Sequence, residues 1–253
     1  MLADEGYFFG IGAFETIAVE EGYPILLEEH YRRLERALYF LHVPVPVEKI
    51  GQEVEEALAR PEMKMGRQVL KITVSEKNLL VTTRKNPYGD REYEQGFATD
   101  FSTVKRNETS PFTYHKTLNY GDCIWEKRKA SRRGIQEPVF CNTRGVIAEG
   151  ASTNVFFVKN GRICTPSVAC GLLPGILREY LCSHYEVEER EIYPGEVPEM
   201  EEMFLTNSLM GVMPAISLGR HWFASQETGR RLLREYQSFC RISARSASGV
   251  EVG

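Results

Sequence analysis

Apolar and polar residues alternate along much of the chain, and short helical stretches separate the alternating runs. Residues 14–19 (Phe-Glu-Thr-Ile-Ala-Val) read as a strand, Glu21-Gly22 as a turn, and 23–27 as the returning strand. From residue 28 to about 41, Leu34, Ala37, Leu38 and Leu41 recur at helical spacing, with Arg32, Arg33 and Arg36 between them. A second helix is predicted over about 47–59, ending near Pro61. Residues 68–75 and 78–83 give the clearest hairpin, and 96–104 a further strand. The texture turns polar over 107–113 and ends in Ser110-Pro111, which predicts a linker at about 110–113 between domains 1–109 and 114–253. Beyond it, a helix is expected over 118–133, strands over 138–142 and 154–158, and a turn at 159–161. A helix beginning near Gly175, further short strands and a helix over 225–238 complete the second domain. Strands arrive mostly in pairs with tight turns, so the expected class is mixed α+β and not a doubly wound parallel sheet.

Composition narrows the class further. With 253 residues, 42% hydrophobic and 26% charged, the chain can bury a substantial core. No apolar run approaches the ~20 residues of a membrane helix, so no membrane partner is expected. The net charge of −4 has the wrong sign for a whole-surface nucleic-acid binder. Six cysteines lie scattered without a CxxC, which predicts reduced thiols, no metal cluster and, with no signal segment at the start, a cytoplasmic enzyme. Asn107-Glu-Thr109 fits a glycosylation pattern that is irrelevant without secretion. The polar end, 246–253, is expected to fray.

The common phosphate and nucleophile motifs are missing. There is no GxxxxGK[ST] and no GxSxG, and Gly10-Ile-Gly12 lacks the third glycine of a dinucleotide fingerprint. The basic run Lys127, Arg128, Lys129, Arg132 and Arg133 reads as a solvated helix face, and His42, His184 and His221 stand alone.

Four separated segments gain meaning together: Glu29-His30-Tyr31-Arg32-Arg33-Leu34; His115-Lys116-Thr-Leu-Asn119-Tyr120; Glu149-Gly-Ala-Ser-Thr-Asn154; and Leu173-Pro-Gly175-Ile176-Leu177-Arg178, followed by Thr206-Asn207-Ser208. In their order and spacing the chain resembles the fold-type IV, class IV family of pyridoxal-phosphate enzymes. That family holds branched-chain aminotransferases, D-amino-acid aminotransferases and 4-amino-4-deoxychorismate lyases. The resemblance covers roughly residues 4–240. It implies a two-domain enzyme, a small α/β N-terminal domain with a larger, β-rich C-terminal one, that binds pyridoxal 5′-phosphate, takes a small amino substrate and forms a homodimer.

The resemblance also implies roles. Lys116 stands at the position of the lysine that holds the cofactor and moves protons, chemistry that needs an unprotonated amine. Glu149 matches the carboxylate that keeps the pyridine nitrogen protonated, which makes the ring an electron sink. Tyr120 matches a tyrosine at the ring's phenolic oxygen. The backbone of Ile176 and Leu177, with Asn207, Ser208 and Arg33, matches the phosphate cradle, and a helix opening after Pro174-Gly175 suits an anion. Two features depart from the usual pattern: Asp4 and Gly6 come almost at the start, and Gly10-Ile-Gly12 replaces Gly-Asp-Gly.

Both lyase and aminotransferase chemistry use this set of residues. Phe14-Glu15-Thr16, the Lys-Thr-Leu-Asn-Tyr stretch and the modest length resemble the lyase branch, which releases pyruvate and p-aminobenzoate for folate synthesis. The alternatives are an aminotransferase of branched-chain or D-amino acids and a non-catalytic protein of the same fold. No pair of cations dedicated to a second carboxylate stands out in the sequence.

Overall fold

The computed structural model describes residues 2–44 and 47–247. The chain forms two compact units. One comprises Met1–Pro87, His115–Asn119 and the chain from Tyr236 on, and the other Tyr88–Tyr114 and Tyr120–Glu235. The chain thus enters the second unit at Tyr88 instead of at 110–113. Residues 115–119 return to the first unit because their backbone pairs with its first strand.

The first unit is an antiparallel sheet in the order β2-β1-β3-β4. Its strands are β1 (Gly12–Glu20), β2 (Tyr23–Pro24), β3 (Arg67–Ser75) and β4 (Leu79–Lys85). The returning strand expected over 23–27 is cut to two residues. Pro24 brings no N–H to the ladder, and Leu26 takes a left-handed φ of 55° that swings the chain into a helix. Helices α2 (Leu27–Phe40) and α3 (Val47–Leu58) cover one face. Ala13, Ile17, Val19, Leu70, Ile72 and Val74 of the sheet pack there against Leu34, Ala37, Leu38, Ile50, Val54 and Ala57.

A five-residue helix that hydrophobic periodicity could not signal, α1 (Glu5–Phe9), precedes β1. Asp4 caps it, accepting from Tyr7 N–H at 3.0 Å, and fixes it to the β3–β4 turn through Ser75 Oγ at 2.6 Å, Lys77 N–H at 2.9 Å and Asn78 Nδ2 at 2.9 Å. These donors, Ser75 first, hold the Asp4 carboxyl well below the usual carboxylate range. A Cβ on Gly6 would overlap the Ser75 side chain, so Asp4 and Gly6 are both needed to dock α1.

The second unit is built on a mixed sheet in the order β10-β9-β8-β11-β12-β5-β6-β7, with β13 beside β12. The strands are β5 (Phe97–Phe101), β6 (Glu137–Cys141), β7 (Ile147–Gly150), β8 (Asn154–Lys159), β9 (Arg162–Pro166), β10 (Val187–Arg190), β11 (Glu202–Asn207), β12 (Gly211–Leu218) and β13 (His221–Trp222). β5 runs parallel to β6 and β12, and β9 parallel to β10; the remaining pairs are antiparallel. Helices α4 (Asp90–Gln95), α5 (Gly121–Ser131) and α6 (Ile176–His184) belong to this unit, and α7 (Glu227–Ala247) begins in it. β6, β7, β8 and β11 are buried almost throughout, and polar residues that they carry, Glu137, Glu149, Asn154 and Thr206 among them, are buried with them. α5 starts three residues later than expected because 115–119 is extended. The polar end beyond Ala247 lies outside the described residues. Among the described residues, no helix is long and apolar enough to cross a membrane, and no cluster of acids, histidines and cysteines is arranged for a metal.

Candidate active site

Lys116 lies in the extended segment that docks on β1. Phe14 N–H donates to the Lys116 carbonyl at 3.0 Å, Leu118 N–H donates to the Gly12 carbonyl at 2.8 Å, and Ala13 bridges Thr117. A Cβ on Gly12 would overlap the Val74 carbonyl and the Leu118 side chain, so this close approach requires glycine. His115 stacks on Phe40 with ring centres 4.3 Å apart, and Asn119 Nδ2 donates to the Gly10 carbonyl at 3.0 Å. The Lys116 ammonium stands 4.3 Å from the centre of the Phe14 ring. Its backbone is fixed on both sides while its side chain lies half-buried against an aromatic face.

Arg33, from α2, is also in this unit. Its Nε and Nη2 donate to the two carboxylate oxygens of Glu15 at 2.7 and 2.8 Å, and His30 Nδ1 sits 2.6 Å from Glu15 Oε2. Glu15 and His30 are fully buried and Arg33 is 7% exposed. Burial alone would raise the Glu15 carboxyl, but the charge of Arg33, with His30 and the hydrogen bonds of both, holds it well below the usual range. Burial lowers the His30 imidazole below its ordinary value against the pull of Glu15. The structure therefore gives Arg33 a rigid carboxylate partner along one edge of its guanidinium. Glu15 and His30 form a buried polar cluster that the sequence reading passed over. Its signal was present: Glu15 shares strand parity with Ala13, Ile17 and Val19, so a charge points into the core.

In the second unit, Glu149 ends up 5% exposed on β7. Arg106 Nη2 reaches its Oε1 at 2.7 Å, and Leu173 N–H donates to its Oε2 at 3.0 Å. Burial works against the charge on Arg106, yet Glu149 above all, then Cys123 and Tyr120, raises its hold on the proton. Tyr120, just before α5, packs with Cys123, Phe140 and Ala151. Leu173 makes a second tie, because its carbonyl accepts from Asn154 Nδ2 at 2.9 Å. Two residues later Gly175 caps α6 with no side-chain bond, leaving the first N–H groups, at Ile176 and Leu177, without a capping oxygen from it. A Cβ on Gly175 would overlap the Asn154 amide. Across the sheet Asn154 pairs in register with Thr206, the residue before Asn207, and α6 packs on β11.

Asn207 and Ser208 stand where β11 turns into β12. Asn207 Oδ1 accepts from Leu209 and Met210 N–H at 3.0 and 2.9 Å, and its Nδ2 donates to the Ser152 carbonyl at 3.1 Å. Ser152 N–H in turn donates to Glu137 at 2.6 Å, and Glu137 is paired with Lys127 at 2.9 Å. The basic run on α5 is thus not simply a solvated face, since Lys127 anchors the loop that follows Glu149. Asn154, Arg106, Glu137 and Lys127 were missed because each acts through tertiary partners distant in sequence.

The residues of the second unit suit a phosphorylated pyridine. A buried carboxylate suits a pyridinium N–H. An uncapped helix N-terminus beside an obligatory glycine suits a phosphate, and the buried Thr206 hydroxyl, without a partner, adds a donor next to Asn207. One backbone unit, Leu173, ties the two ends together. Lys116 and Arg33 lie in the first unit, and Tyr120, Glu149, Ile176, Leu177, Asn207 and Ser208 in the second.

A lysine whose backbone is held on β1 and, in the second unit, a helix N-terminus tied to a buried carboxylate are groups that a cofactor-dependent enzyme acting on amines needs. Residues 12–218 match the family described as amino-transferase class IV, and the chain belongs to that family of pyridoxal-phosphate-dependent enzymes. It is 27% identical over 243 residues to an aminodeoxychorismate lyase of Bacillus subtilis, covering 88% of this chain and 83% of the relative. It is 28% identical over 223 residues to a probable branched-chain-amino-acid aminotransferase of Thermotoga maritima, covering 85% and 80%. A crystal structure of a putative 4-amino-4-deoxychorismate lyase from Legionella pneumophila superposes with a TM-score of 0.83 at 23% identity, covering 94% of each chain.

Gly175→Ala offers a direct check on the phosphate cradle. The added methyl collides with the Asn154 amide and loosens the Leu173 carbonyl. The cofactor dissociation constant, read from absorbance titration, is expected to rise about tenfold or more, the scale of one lost hydrogen bond to an anion.

Proposed function

We propose that this chain is a lyase that converts 4-amino-4-deoxychorismate into pyruvate and p-aminobenzoate. The observation that carries the cofactor reading is the double tie at Leu173, which fixes a buried carboxylate and a helix N-terminus at a set spacing. The B. subtilis aminodeoxychorismate lyase, matched over most of both chains, supports the lyase branch.

When bound, pyridoxal phosphate supplies an electron sink conjugated to the substrate's amino nitrogen. In this reading Glu149 would hold a proton at the ring nitrogen, with Arg106 and the Leu173 N–H orienting the carboxylate. Tyr120 would serve the phenolic oxygen. The N–H groups of Ile176 and Leu177, with Asn207, Ser208 and Arg33, would hold the phosphate. Lys116 Nζ would take the proton from the substrate carbon that bears the amine. The allylic C–O bond then breaks, and its electron pair leaves with enolpyruvate, which gains a proton to become pyruvate. Loss of that proton and of the enolpyruvyl group makes the six-membered ring aromatic, so the overall change needs no external oxidant.

Purified protein loaded with cofactor and given aminodeoxychorismate is expected to release p-aminobenzoate and pyruvate in equal amounts. Amino transfer from D- or L-amino acids to a keto acid, without the aromatic product, would replace the lyase by an aminotransferase. A protein that takes up no cofactor would remove both.

A further inference from the structure

We infer that a groove between α4 and α5 of the second unit is a binding site for a small aromatic carboxylate, separate from the site of Lys116 and Glu149. The groove encloses about 640 Å³, within the range of small-molecule sites. Every residue that lines it lies between Tyr88 and Gln136 in the second unit, and none is a residue assigned above to the cofactor. The inference holds whichever reaction Lys116 serves. One part of the lining is apolar. Tyr88 and Phe97 stand with ring centres 6.2 Å apart and planes tilted by 49°, and Ile124 of α5 with Ile135 beyond its end adds aliphatic surface. Phe97 is buried, but Ile124 is 44% exposed, so a large apolar side chain faces the concavity with surface left for a ligand to cover. Rings set at such an angle offer both a face and an edge to a third flat ring, contacts that an alkyl chain does not make.

The charges come from one stripe of α5. Ile124, Arg128 and Arg132 follow one another at four-residue steps, with Ser131 beside them. The cations of this region divide into two groups. Lys127 pairs with Glu137, Lys129 with Glu126 and Arg133 with Asp100. Arg128 and Arg132, both exposed, make no ion pair among the described residues. Both of these unpaired arginines line the groove, and like charges one turn apart repel until an anion joins them. The helix dipole favours cations in the last turn of α5, which accounts for their place on the helix but not for the apolar surface beside them. Glu92 is the one acid of the lining, and its Oε2 accepts from Gly89 N–H at 2.9 Å in the cap of α4. Guanidinium groups match the planar pair of oxygens of a carboxylate. A flat ring against Tyr88, Phe97 and Ile124 would present that carboxylate to Arg128 and Arg132.

The probe is 2-naphthoate, a two-ring aromatic carboxylate, titrated by calorimetry into the cofactor-loaded full chain. One molecule is expected to bind in the groove of each chain. Arg128→Gln and Arg132→Gln should each weaken binding about fivefold, the upper end for an exposed ion pair, and the double variant about twentyfold. Lys129→Gln, whose charge is already paired with Glu126, should change it less than twofold. The neutral 2-naphthamide keeps the rings and loses the charge, and octanoate keeps the charge and loses the rings; each should bind more weakly than 2-naphthoate. Lys116→Ala should bind the probe as the wild type does. The substituted arginines are exposed, so folding is not at stake. Wild type that does not bind 2-naphthoate, or a double variant that binds it within twofold of wild type, overturns the inference. Equal binding of the amide or of octanoate also overturns it, because charge or ring would then count for nothing. Loss of binding in Lys116→Ala would put the ligand at the lysine instead and overturn it as well.

Discussion

Lys116→Ala is expected to lower kcat by a factor of 10³ or more while leaving the fold intact. Positioned proton transfer alone contributes about 10²–10⁴, and loss of the amine that exchanges with substrate adds to that. The Lys116 carbonyl accepts from Phe14 N–H at 3.0 Å, and alanine keeps that bond. What alanine removes is a half-buried side chain lying over the Phe14 ring. A stability change of roughly 1 kcal/mol or less is therefore expected, measured by urea denaturation. A small stability change beside a large loss of turnover separates chemistry from unfolding. Borohydride reduction of the wild type should bleach its yellow colour and leave the cofactor covalently on the peptide that contains Lys116. The alanine variant should yield no such adduct, and an added small primary amine should restore part of its activity. Retention of a tenth of wild-type activity, or an adduct on another lysine, would remove Lys116 from the role given to it.

The elements that could be read from the sequence are those whose causes are local. α2 is marked by its apolar spacing and the β3–β4 hairpin by its alternation, and both sit within a few residues of expectation. α6 begins where Pro174-Gly175 signals a start. What the sequence could not reveal depends on partners far along the chain. α1 exists because Asp4 meets Ser75, Lys77 and Asn78, more than seventy residues away. In place of the single linker expected at 110–113 the chain passes between the units at 87/88, 114/115, 119/120 and 235/236, the middle two because residues 115–119 find hydrogen bonds on β1. Candidate site residues such as Lys116 and Glu149 could be singled out through the resemblance to a known family, but their supports could not. Arg106 on Glu149 and Asn154 on Leu173 are each ordinary polar residues in their local sequence, and only the folded sheet brings them to their partners.

Glu15→Gln is expected to destabilise the protein by about 3–5 kcal/mol, the scale for breaking a buried ion pair from one side. The amide cannot neutralise Arg33, whose Nε and Nη2 both donate to Glu15 and which is 7% exposed. Removing all three partners should cost much less: Glu15→Leu with His30→Leu and Arg33→Met leaves no charge to strand, so part of the loss should be regained. Urea denaturation of the single and triple variants measures both. The pH dependence has a definite sign. The folded Glu15 carboxyl lies below its ordinary value of 4.5, so the stability it lends is present above that pH and is lost as the medium becomes more acidic. His30 in the folded protein lies below its ordinary value of 6.5, so the unfolded chain takes up the proton first. Stability therefore already begins to fall as pH drops through 6.5. Wild type should lose stability in these two stages, and Glu15→Gln should lose less in the lower one, to which Asp4 still contributes. If the single variant cost less than about 1 kcal/mol, or kept the full acid loss below 4.5, the Glu15–Arg33 pair would not be what stabilises this core.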